Sequence, residues 1–199
     1  MGHYRFLIPV FPVAILLTLA GVAAVAGKAS RRAVLFPVAA AALLAPAWLR
    51  SPAWERGALG YAAGLANAQV PFGLRVRSEC SPATILAMDD AGAGPFYADR
   101  TNIDMLGLND AHIGHLRGGF YQKYDERYVL ARRPDLVVLL SFVAEPARDA
   151  DFRVPGHAAL FRDAGFRKGY RFARRYRFDP TYYLQVWRRI DSATVPESF

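Results

Sequence analysis

The stretch DDAGAGPFYADRTNIDMLGLNDAHIGH, residues 89–115, packs five aspartates and two histidines into 27 positions. Carboxylates and imidazoles move protons or bind metals near neutral pH, and here they are Asp89, Asp90, Asp99, Asp104, Asp110, His112 and His115. Asp89 and Asp90 directly follow the apolar run ATILAM (83–88), which reads as a buried strand. In parallel α/β sheets ligands bind just beyond such strand ends, so Asp90 is a candidate binding residue. Gly92 and Gly94 permit tight turns or close backbone approach, yet they spell neither a G-x-G-x-x-G nor a G-K-[ST] nucleotide fingerprint. A G-x-S-x-G nucleophile elbow is absent as well. Asp110, His112 and His115 form a possible metal set, because histidines three apart can share a helical face. A metal site needs a further ligand and supporting partners, which the spacing does not supply. The competing reading has Asp110 capping a short helix while the histidines bond locally. No metal and no cofactor are expected.

Periodicity gives the secondary-structure elements that carry these residues. Residues 52–68 read as a helix, with Ser51 as cap and Pro52 in its first turn. RTNIDML is a second, shorter strand candidate. GGFYQKYDERYVLARR (118–133) has a helical apolar face and is ended by Pro134. DLVVLLSF (135–142) is continuous and apolar, a strand covered on both faces. PGHAALFRDAGF is a helix with Gly165 as its stop. In YRFARRYRF, Tyr170, Phe172, Tyr176 and Phe178 alternate with arginines and predict one core face and one solvated face; Asp179-Pro180 marks a turn and TYYLQVWRRI the returning strand. These elements argue an α/β soluble domain with a C-terminal β-hairpin over residues 51–190, and a flexible tail over 191–199. The basic-aromatic hairpin could stack nucleic-acid bases, but regular alternation is better explained by burial of one face, and no nucleic-acid partner is expected.

The first fifty residues differ in kind. Between residues 6 and 49 the only charges are Lys28, Arg31 and Arg32. Phe6–Gly27 and Ala33–Leu49 are uncharged runs of membrane-spanning length, so two transmembrane helices are expected to precede the domain. Two other readings compete: Ala24-Val25-Ala26 imitates a signal-peptide cleavage site, and the second run could be a buried core helix. The basic link KASRR places itself in the cytoplasm and the soluble domain outside, facing the periplasm or cell exterior. A net charge of +8, nearly all arginine, suits anionic head groups or phosphates. The single cysteine, Cys80, rules out an internal disulfide framework.

The segment DAGAGPFYADRTNIDMLGLNDAHIGH, followed by RRPDLVVLLS, resembles the C-terminal extracytoplasmic domain of bacterial multi-span glycosyltransferases of the GT-C class, arabinofuranosyltransferase-like enzymes that use polyprenyl-phosphate-sugar donors. The features that carry the resemblance are the Asp-Ala-Gly turn after a strand, the aromatic Tyr97, and the segment Ile103 to Asp110 with a following histidine. YRFLIPVFP, with Arg5 at its head, is similar to the last spans of such enzymes. The resemblance implies substrate-binding roles for Arg5, Asp90, Tyr97, Asp104, Asn109, Asp110 and His112. It implies membrane lipid and a polyprenyl-phosphate-sugar donor as partners, together with an N-terminal transmembrane portion. These enzymes carry their catalytic aspartate in the first extracytoplasmic loop, and no residue here matches that motif, so no catalytic residue is expected and the chain should be inactive alone. Two other functions stay open: a membrane-anchored non-enzymatic binding or scaffolding module, and a small hydrolase built on Asp90, Asp104 and His112.

Overall fold

The computed structural model describes residues 56–199 except Asp90, Phe120, Pro146 and Ala147, together with Leu17 and Gly21. Both expected transmembrane segments therefore lie outside the described residues; among those described, no helix is long and apolar enough to cross a membrane. The chain divides after Ala58, and the unit Leu59–Phe199 is the α/β domain.

Its centre is a five-stranded mixed sheet of order β2-β1-β3-β5-β4. The strands are β1 (Ile85–Met88), β2 (Thr101–Asp104), β3 (Leu136–Ser141), β4 (Tyr170–Arg177) and β5 (Tyr183–Arg189). β1 pairs in parallel with β2 on one side and β3 on the other, while β5 runs antiparallel between β3 and β4. The chain leaves β1 for β2 and then crosses back over to β3, so the strand order reverses beside β1. The carboxyl ends of β1 and β3 thus flank the crevice where open α/β sheets bind ligands.

Alternation along the strands sorts two cores. Leu86, Met88, Leu136, Val138, Leu184 and Val186 face one side, against Phe72 and Val76 of α1 (Val70–Glu79) and Ala98 of α2 (Ala93–Ala98). Ala87, Val137 and Leu139 face the other. There they meet Val129 of α4 (Glu126–Ala131), Leu160 of α5 (Pro155–Arg162) and Phe166 of α6 (Ala164–Gly169); the one-turn α3 (Ala111–Gly114) lies in the loop between β2 and α4. β1 and β3 are covered on both faces, which is why their sequences are continuous apolar runs.

Several expectations are corrected. The helix expected to stop at residue 68 runs on, through a π-helical stretch Leu65–Gln69, into α1 and ends at Glu79. Pro71 lacks an N–H and its ring crowds the preceding turn; the wider π turn just before it accommodates both. The 118–133 helix is confined to α4, because Asp125 turns its carboxylate onto the Tyr128 N–H and starts the helix there. Gly165 does not stop a helix. The break falls at Asp163, whose side chain accepts from Gly165 and Phe166 N–H groups and opens α6.

The single core face expected of β4 is divided. Phe172 pairs with Trp187 and Arg174 with Val186, so Ala173 is the extra residue of a bulge. Tyr170 accordingly joins the α6 side, whereas Tyr176 and Phe178 join the α1 side. The arginines of β4 then lie along an edge strand, where charge discourages pairing with another sheet. The tail expected to be flexible is packed: Val195 and Phe199 are buried, and Thr194 O accepts from Ser81 N–H and Thr84 Oγ1. The buried Arg188 guanidinium holds the carbonyls of Ser192 and Val195.

Candidate functional site

At the end of β2, Asp104 is 1 % exposed and its carboxylate organises the following loop. Oδ1 accepts from Leu106 N–H at 3.0 Å and Oδ2 from Asn109 N–H at 2.8 Å. The next aspartate, Asp110, caps α3 through Ile113 N–H and takes the Tyr128 hydroxyl at 2.8 Å. His112 stacks on the Tyr128 ring at 4.0 Å and its Nε2 lies 2.9 Å from Asp125 Oδ2. Tyr128 N–H, and after it His112, hold the Asp125 carboxyl below the usual carboxylate range. Burial, reinforced by the Asp110 carboxylate, pushes the Tyr128 hydroxyl up. This is a closed circuit of side chains that bond one another and the backbone.

The residues singled out in the sequence are therefore only partly gathered. Asp104, Asn109, Asp110 and His112 share this loop, with Asn109 contributing its backbone N–H. Tyr97 is on α2, on the opposite side of the sheet from α4, packed edge-on against Phe96. Arg5 and Asp90 lie outside the described residues. The three candidate metal ligands do not converge: Asp110 serves Tyr128, His112 faces Asp125, and His115 Nδ1 donates to Ala111 O. Among the described residues no group of three or more His, Cys, Asp or Glu side chains could hold a metal ion. Burial, aided by Glu79, pushes the Cys80 thiol up to about 11, which leaves it un-ionised and unreactive at neutral pH.

At the crevice itself stand two residues that no sequence motif links. Asp89, the first residue past β1, is 7 % exposed, and His157 in the first turn of α5 is 1 % exposed. Leu140 N–H donates to His157 Nδ1 at 2.9 Å, so that nitrogen carries a lone pair and the ring proton sits on Nε2. Nε2 is 2.9 Å from Asp89 Oδ1, but the carboxylate lies off the N–H axis, so the contact is electrostatic rather than an aligned hydrogen bond. Asp89 Oδ2 is buried and has no hydrogen-bond partner among the described residues. Both residues line a small cleft of about 10 Å³, the room of one water, walled by Val129 and Leu160 and bordered by Tyr124 and Gly156. The only signal in the sequence was the position of Asp89 as first polar residue after a buried strand; nothing local points to His157.

The amino ends of the same strands are fastened by a different carboxylate. Asp135 accepts from Ile85 N–H, Ser192 Oγ and Arg189 Nη2. Burial would raise its carboxyl, but these three donors prevail and hold it below the usual range. The clamp joins β1, β3, β5 and the C-terminal segment.

An α/β domain with its unassigned polar pair at a strand-order reversal is the class these features define. The chain belongs to a family described as a domain of unknown function, DUF8728, whose model matches residues 60–191, from the helix before α1 to just past β5. No curated protein and no solved structure matches the chain.

Proposed function

We propose that this chain is the tail portion of a membrane glycosyltransferase that moves a sugar from a lipid-phosphate donor to a cell-envelope glycan or lipid. On this reading, two spans precede the domain, which faces the periplasm or cell exterior, and the domain shapes the donor or acceptor site without supplying the catalytic base. The supporting observation is the closed circuit at residues 104–128. Asp104 and Asp110 are engaged in capping and loop bonds, which suits aspartates that shape a site rather than take a proton from an acceptor hydroxyl. Asp89 retains an unpartnered oxygen, but in a cleft too narrow for a whole sugar ring. Arg5 and the arginine excess suit a phosphate-bearing lipid.

The test is vesicle co-sedimentation of the full chain with and without a polyprenyl phosphate in the bilayer. Binding should depend on that lipid, fall as salt is raised, and weaken in Arg5→Ala. Sugar transfer by this chain alone, above background, would overturn the assignment of the base to another segment. The same closed circuit also favours a membrane-anchored, non-enzymatic binding or scaffolding module. That reading predicts vesicle binding indifferent to the polyprenyl phosphate.

A further inference from the structure

At the end of the sheet away from Asp89 and His157, the last residue of β5 and the carboxyl ends of α4 and α6 surround an open groove of about 390 Å³. Small-molecule sites hold roughly 300–1,000 Å³, so this groove has room for a ligand. Three cations stand along it: Arg133 just past α4, Lys168 on α6 and Arg189 at the end of β5. The Asp191 carboxylate bridges two of them, with one oxygen on the Arg133 guanidinium and the other on that of Arg189. The two guanidinium groups are thus already spaced for a carboxylate. Asp191 is 62 % exposed and Arg133 66 %, so water screens their contact and an incoming anion can share or replace it. Arg133 has φ +50°, the left-handed conformation that glycine usually supplies after a helix end. Arginine is costlier there, and what it brings to the position is a charge at the groove. Lys168 is exposed and has no carboxylate partner among the described residues.

Charge and shape select the anion. The three cations are set against Asp191 in the groove and Asp135 behind Arg189, which leaves one positive charge. A monoanion neutralises it, whereas a phosphate monoester, nearly dianionic at neutral pH, would exceed it. The rest of the wall is apolar, with Leu130, the ring of Tyr170, and Ile190, which is 51 % exposed. Gly165 and Gly169, four apart on α6, leave that helix bare toward the groove, and a Cβ at Gly169 would meet nothing within 4 Å. We propose that the groove binds a carboxylate joined to an apolar group, either a small organic acid or the carboxyl terminus of a peptide ending in an apolar residue. Arg133 and Lys168 take the carboxylate, and the apolar group lies against Ile190 and the glycine face of α6. The site does not rest on the glycosyltransferase reading: a chain with no affinity for lipid phosphate would still carry it.

The test follows the Gly165 and Gly169 amide signals of the full chain labelled with ¹⁵N-glycine, titrated with phenylacetate and, separately, with N-acetyl-phenylalanine. Saturable shifts are expected with at least one of them, and the tighter of the two tells a free acid from a peptide end. Phenylacetamide, alike in shape but uncharged, should bind about tenfold more weakly or less, the usual scale for hydrogen bonds to a charged group. Lys168→Gln should weaken the acid about two- to fivefold, as expected for an exposed ion pair. Gly169→Leu, whose side chain enters the open groove, should abolish binding as read at Gly165. The proposal is overturned if neither acid gives saturable shifts, which would mean that the cations only answer the carbonyl ends of α4 and α6. It is equally overturned if inorganic phosphate binds more tightly than both acids, if the amide binds as well as they do, or if both variants bind like the native chain.

Discussion

Replacing Asp104 by alanine should cost the domain much of its stability, and the amount follows from the bonds the carboxylate makes. Two backbone N–H groups, of Leu106 and Asn109, lose their acceptors at once. Both bonds are part-buried, so water recovers some of the loss. A stranded donor costs about 1–3 kcal/mol, so two in a half-solvated loop cost about 2–4 kcal/mol. Against a total stability of about 5–15 kcal/mol this is a large share. For a domain of this size each kcal/mol lowers Tm by about 3–5 °C, so Asp104→Ala should melt about 6–20 °C below the native chain. Asp104→Asn keeps one acceptor oxygen and should show about half that loss. Circular dichroism melts of the three full-length proteins, under identical conditions, provide the assay. A change of less than about 2 °C in Asp104→Ala would contradict this expectation. It would mean that the loop bonds are replaced by water at no cost and that the aspartate is held in place for a ligand instead.

Two further outcomes are expected. The Asp135 carboxyl is depressed in the folded chain, so its contribution is fully present above the unfolded value near pH 3.9 and is lost as pH falls through the lower folded value. In acid denaturation, Asp135→Asn should therefore flatten the stability slope below about pH 4 and lower stability at neutral pH; an unchanged acid limb would refute the clamp. Gly73→Ala, in the middle of α1, should destabilise by about 1–3 kcal/mol although alanine is the better helix former. The added Cβ would stand 2.6 Å from Gly94 O, 2.8 Å from Tyr97 Cβ and 2.9 Å from Ala98 N, which are backbone and near-backbone atoms that cannot swing aside. A denaturant midpoint at or above that of the native chain would show that α1 and α2 are not in such close contact.

Local patterns along the chain are enough to give the kinds of element and much of their order. Leu136–Ser141 is apolar without interruption because both faces are covered, and that much is visible in a window of six residues. The role of Asp110 as a helix cap was likewise readable, since capping is a contact between residues three apart. The hairpin was legible for the same reason: alternation, turn and returning strand are consecutive. Contacts between residues distant in the chain, and shifts of register that leave no local mark, emerge only when the elements pack. The bulge at Ala173 moves Tyr176 and Phe178 to the face opposite Tyr170, and strict alternation gives no hint of it because one extra residue inverts the pattern without changing composition. The C-terminal segment looks polar and unstructured in isolation; it is held because Arg188 in β5 and Ser81 after α1 reach it across the fold. The pairing of Asp89 with His157 depends on β1 lying beside β3 and on α5 packing over both. Hydrogen-bonding needs of one buried group are met by another wherever the fold brings them together, and separation along the sequence places no limit on that.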